Sequence, residues 1–205
     1  MQNFTALFDL ATGKPLSREE QGTTQRLHVV VQATLASIGF AALYGLAAGS
    51  TDIALAVGNL YKVPMVIVLS TACALPAGLL TWKLTGGPSR ATDLLLGVAA
   101  GNFTATLVLA SLAPIVALYY HSSGFMGGAL ALGAGALAVG LGLFNLVRAV
   151  LNRVPAEASR GLAAIPVTVL VCAQLAALVQ FIHVASPILP EITVFDGGVD
   201  AMLGS

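Results

Sequence analysis

The chain is 205 residues long, 57% hydrophobic and only 9% charged, with a mean hydropathy of +0.90 and nine Lys/Arg against nine Asp/Glu. Water-soluble domains carry about 25% charged residues, so a soluble globule is excluded. A zero net charge without a clustered basic face also excludes a nucleic-acid binder.

The polar lead, residues 1–26, places Phe4, Leu7, Phe8 and Ala11 at i, i+3, i+4 and i+7, with Asn3 as an N-cap and Gly13 as a stop. This pattern predicts a short interfacial helix that buries its apolar face in the membrane surface. Ser17 and Glu20 fit a capping box for a helix leading into the first span. Basic residues ahead of an apolar run also suit a secretory signal. The mixed charge of this lead, with Glu19 and Glu20, and the full spanning length that follows predict an uncleaved first span instead.

A helix needs about 20 apolar residues to cross the ~30 Å hydrocarbon core, because each residue rises about 1.5 Å and lipid tolerates no unpaired backbone group. Five segments have that length: 27–49, 63–82, 94–120, 125–147 and 161–185. The expected fold is all-α, a polytopic bundle of five transmembrane helices over 27–185 with short hairpins. Residues 186–205 form an extracytoplasmic tail. Between the first two spans, Ile53, Val57 and Leu60 share one helical face and predict a brief interfacial helix. Pro64 and Pro166 fall in first turns, where proline is tolerated, whereas Pro76 and Pro114 are interior and predict bends. In the tail, Pro187 and Pro190 precede an extended run at 192–195 and a turn over Asp196 to Asp200, which has too few acids for a calcium loop.

Eight of the nine basic residues lie in the N-terminal segment and in the loops after spans two and four; only Lys62 lies on the other side. The positive-inside rule then puts the N-terminus in the cytoplasm and the C-terminus outside. The neutral total divides into +3 inside and −3 outside. Tyr44, Tyr61, Tyr119 and Tyr120 fall at the outer boundary and Trp82 at the inner one, as an aromatic belt would. An Ala-, Gly- and Leu-rich chain with basic loops points to a bacterial inner membrane.

Residues able to carry chemistry are few. His28, His121 and His183 have no metal-ligand spacing, and Cys73 and Cys172, both mid-span, predict packing roles. Gln32, Asn102, Thr104, Thr106, Asn145, Gln174 and Gln180 are polar groups within spans, which bond across helices or line a polar path. No acid or base lies well inside a span, as proton- or ion-coupled transport would require. Small-residue pairs recur at Gly45/Gly49, Gly97/Gly101 and Gly124/Gly128, with Gly133 and Gly135 following, and they predict helix-packing interfaces with this chain or another.

The order Asn59-Leu-Tyr-Lys62-Val-Pro64, Ser70-Thr71, Leu75-Pro76, then Leu109-Ala-Ser-Leu-Ala-Pro114 with Tyr119-Tyr120 after it, resembles the bacterial branch of the Yip1-like five-pass membrane proteins. The resemblance covers roughly residues 28–150 and implies five spans, N-terminus inside, and a non-enzymatic role among membrane partners. The Asp-Leu-Tyr-Gly-Pro motif of the eukaryotic branch is absent. Alone, Lys62 reads as a lysine snorkelling to the headgroups; the resemblance implies a pairing with an acid such as Asp52 or with a lipid phosphate. The expected function is a non-catalytic scaffold or accessory subunit that binds other integral membrane proteins, or itself, and carries no cofactor. The alternatives are a small channel or carrier with a path along Asn102, Gln174 and Gln180, and a membrane cofactor-binding protein.

Overall fold

The computed structural model describes residues 7, 9–12, 22–86, 90–154 and 160–190. They form five long helices: α1 (Thr23–Ala48), α2 (Ile53–Leu84), α3 (Ala91–Ser122), α4 (Gly124–Leu151) and α5 (Arg160–Ala185). Each has the length and apolar composition to cross a membrane. The described residues are all-helical apart from turns, and the five helices run up and down.

Helix ends follow local chemistry. Asp52 caps α2 by accepting the N–H of Ala54 at 2.8 Å, so the face of Ile53, Val57 and Leu60 opens the 32-residue α2. The expected separate interfacial helix is therefore absent, and Pro64 lies in the interior of α2, buried, not in a first turn. Pro166 is likewise interior to α5. Only Ser123, extended at φ −157°, separates α3 from α4. That turn requires a glycine at 127, because a Cβ there would stand 2.6 Å from the ring of Tyr120 and 2.8 Å from its Cα.

In space the order is α4, α3, α1, α2, α5: α3 packs on α1 and α4, while α2 packs on α1 and α5 and barely touches its sequence neighbour α3. Small residues set these distances. A Cβ on Gly45 would collide with the backbone oxygen of Asn59, and one on Gly49 would lie 2.6 Å from the amide nitrogen of Ala56, which fixes the α1·α2 hairpin. Gly101 and Gly142 face each other across α3·α4, where either Cβ would come within 2.9 Å of the other's carbonyl oxygen. Gly78 of α2 receives Leu170 of α5.

Three apolar clusters fill the interior. One joins α1 to α4 near the Lys62 end and includes Tyr44, Val116 and Tyr120. A second holds Ala74, Trp82, Leu94, Leu146 and Leu170 from α2, α3, α4 and α5. The aromatic belt is thus only partial: Tyr61 and Tyr119 are exposed, but Tyr44, Tyr120 and Trp82 are core residues, and the Tyr44 hydroxyl donates to the carbonyl of Ala131 at 2.8 Å. Cys73 and Cys172 are free and exposed, because both point away from the seams.

The third cluster takes in the described part of the N-terminal segment. Residues 9–11 are helical, and Leu10 is fully buried among Val29, Ala33, Leu96, Ala100, Phe103 and Ala149. Its neighbours Ala33 and Ala100 lie seven residues, about 10 Å of helix, beyond Arg26 and Asp93. Leu7 and Ala11 pack beside Leu10 in a groove between α1, α3 and α4; Asn3, Phe4, Phe8 and Gly13 lie outside the described residues. The Ser17/Glu20 capping box and the turn at Asp196 lie outside the described residues.

Candidate functional site

Mid-bundle, three helices meet through side-chain amides and a hydroxyl. Asn102 of α3 donates from Nδ2 to Thr71 Oγ1 of α2 at 2.9 Å, and Gln174 Nε2 of α5 donates to Asn102 Oδ1 at 3.1 Å and more weakly to Thr71 Oγ1 at 3.4 Å. Thr71 passes its own proton to the carbonyl of Ile67 at 2.8 Å. Gln174 Oε1 is buried without a partner. Such a network links α3 to α2 and α5, which it otherwise barely touches, each bond contributing roughly 0.6–2 kcal/mol. Asn102 and Gln174, both anticipated, come together; Gln180 is exposed and takes no part. At 3.6 residues per turn Gln180 lies about 120° around α5 from Gln174, a signal already present in the spacing. Thr71 went unnoticed as a polar span residue, although a hydroxyl in a charge-free segment is the same kind of signal as Thr104.

Above this network, α1, α2 and α3 enclose a recess of about 210 Å3. Its wall is apolar, from Val30, Ile38, Ile67 and Leu75 among others, and its polar atoms belong to Thr34, Ser37, Thr71 and Asn102. Thr34 and Ser37 both spend their protons on their own helix, on Val30 and Ala33 carbonyls. The recess is therefore a mostly apolar space with an amide at its floor.

A second polar centre ties α3 to α4. Asn145 Nδ2 donates to Thr104 Oγ1 at 2.6 Å and lies 3.3 Å from the carbonyls of both Ala100 and Leu10. This amide adds a polar contact to the apolar packing of Leu10 in its groove.

At the N-terminal end of α1, Arg26 pairs with Asp93 (Nη1 to Oδ1, 2.6 Å), with side chains 16% and 9% exposed. The other carboxylate oxygen of Asp93 accepts the N–H of Arg90 at 3.1 Å. Arg153, just past α4, donates from Nη1 to the carbonyl of Ala149 at 2.6 Å. Burial pulls its guanidinium below the ordinary arginine range; Asp93 opposes that shift and Arg26 adds to it. Arg26 Nε and Arg153 Nη2 are buried without an acceptor.

At the opposite end Lys62 does not meet Asp52, whose carboxylate is occupied in capping α2. Its ammonium donates to the carbonyl of Pro187 at 3.0 Å, and Asn59 Nδ2 donates to that of Ile188 at 2.6 Å. The start of the C-terminal tail is thereby fastened over α2, with Ile188 and Leu189 packed on the core. Among the described residues no three His, Cys, Asp or Glu converge as a metal site, and His28, His121 and His183 are all exposed.

The anticipated glycines divide. Gly45, Gly49, Gly97 and Gly101 are packed within the chain, Gly97 against Val150. Gly128 is buried, while Gly133 and Gly135 have no atom within 4 Å of where a Cβ would stand. With Ala129, Ala136 and Gly140, Gly133 forms an outward stripe of small residues on α4, flanked by Leu132, Leu137 and Leu141. Comparison with protein-family models, curated proteins and solved structures finds no match to this chain.

Proposed function

We propose that the chain is a non-catalytic integral membrane scaffold or accessory subunit, and that it receives a helix of another membrane protein, or of a second copy, on the outward face of α4. One observation carries this reading: the stripe Ala129, Gly133, Ala136 and Gly140 lies exposed on the surface, while Gly45/Gly49 and Gly97/Gly101 are packed inside the bundle. In lipid, helices associate where small residues let backbones approach. The Yip1-like order of Lys62-Val-Pro64, Leu75-Pro76 and Ala113-Pro114 agrees with such a role, as does a bacterial inner-membrane location with the N-terminus cytoplasmic.

Ala136→Cys, introduced with Cys73→Ser and Cys172→Ser, tests it by crosslinking in native membranes. A defined crosslinked product that disappears when Gly133→Leu is added is the expected result. A strictly monomeric protein with no crosslinked product overturns the proposal. A small carrier is the second reading, favoured by the recess that ends on Asn102 and Thr71. Solute flux in proteoliposomes equal to that of protein-free vesicles removes it.

A further inference from the structure

We infer that Arg26 and Arg153 form a site for a phosphate-type oxyanion at the membrane boundary, supplied by an anionic lipid headgroup or by a free phosphate. Two guanidinium groups reach this end from separate elements: Arg26, at the start of α1, pairs with Asp93 at 2.6 Å, and Arg153, at the exit of α4, follows Val150, which packs on Gly97 one turn of α3 from Asp93. One carboxylate for two guanidinium groups leaves an excess of positive charge that no other described residue neutralises. Asp9, the other described acid at this end, makes no ion pair among the described residues, whereas Lys83 and Arg90 add further positive charge.

The hydrogen-bond inventory is unbalanced in the same sense. Arg26 uses Nη1 on Asp93, and Arg153 uses Nη1 on a backbone carbonyl, so Arg26 Nε and Arg153 Nη2 remain as buried donors. A buried donor without an acceptor is costly. A tetrahedral oxyanion supplies several acceptors, and guanidinium forks match its geometry better than an ammonium does. Location agrees: Arg26 and Arg153 stand at the ends of membrane-length helices, where headgroup phosphates lie.

The test uses the full chain in a neutral detergent, titrated with phosphatidylglycerol, phosphatidylcholine or inorganic phosphate. Native mass spectrometry counts retained lipid, and Trp82 fluorescence follows thermal unfolding. One phosphatidylglycerol retained per chain in preference to phosphatidylcholine, with the preference reduced about tenfold by Arg153→Gln, is the expected result. Arg148→Gln, which removes an exposed arginine from the same end, should leave that preference intact. Arg153→Lys keeps the charge but loses the fork and should fall between wild type and Arg153→Gln; it also serves if the glutamine variant fails to fold. Stabilisation by millimolar phosphate, lost in Arg153→Gln, identifies the free anion as the source, whereas an effect of phosphatidylglycerol alone identifies the lipid. Equal binding by wild type and both Arg153 variants, or equal loss in Arg148→Gln, overturns the inference.

Discussion

On one side of α4, Gly142 lies so close to α3 that a Cβ would stand 2.8 Å from the carbonyl oxygen of Gly101 and from Ala105 Cβ. On the other, Gly133 and Gly140 meet no atom of the chain within 4 Å. The same residue type, within three turns of one helix, serves an internal seam on one face and leaves an open groove on the other. Glycine density along a span therefore says little about where its partner is; the direction of each missing side chain decides that.

The sharpest way to break this comparison is to fill both faces alike. Gly142→Leu forces a side chain into the α3 backbone and should destabilise the bundle by about 3 kcal/mol or more, read as lost helicity on heating in detergent. Asp93→Asn asks whether charge or the seam holds α3 in place. It strands two arginines, and a loss of about 2–3 kcal/mol is expected, below the range for a fully buried pair because Arg26 keeps 16% of its exposure. Asn102→Leu removes the amide that joins α3 to α2 and α5 and should cost about 1 kcal/mol, in the range for interhelical bonds in lipid, measurable in the same unfolding assay. Gly133→Leu, the counterpart of the first substitution, should change stability by no more than about 0.5 kcal/mol while abolishing the Ala136→Cys crosslink. If Gly133→Leu unfolds the protein as Gly142→Leu does, the two faces are not different in kind.

The five spans were legible because lipid imposes one length and one composition on any crossing helix: α2 to α5 each contain the segment marked for them, and α1 all of its segment but the C-cap Gly49. Their ends were less so. Lys62 and Asn59 look like a membrane boundary, yet α2 runs ten residues further toward its N-terminus, since Asp52 caps it and the tail carbonyls of Pro187 and Ile188 satisfy Lys62 and Asn59. The pairing of Asn102 with Gln174 was readable as two amides in charge-free spans. That Thr71 completes the contact depends on α2 lying against α5, a long-range fact that no local pattern carries. The stripe of Phe4, Leu7, Phe8 and Ala11 announced an apolar partner but could not distinguish lipid from protein, because both reward the same burial, and it did not mark Leu10, the residue that is fully buried. Arg26, Asp93 and Arg153 sit just outside the apolar runs, where charge reads as loop; their convergence follows from how α1, α3 and α4 align.

The docking of Leu10 also has a consequence in time. Its carbonyl is held by Asn145, 135 residues later in the chain. At ordinary rates of synthesis, on the order of ten seconds pass before that amide exists, and longer before α4 is seated against α3. Until then the N-terminal segment lacks both its bond to Asn145 and the wall of its groove that Ala149 supplies. A region made early thus takes its final place late, once α4 has joined the bundle.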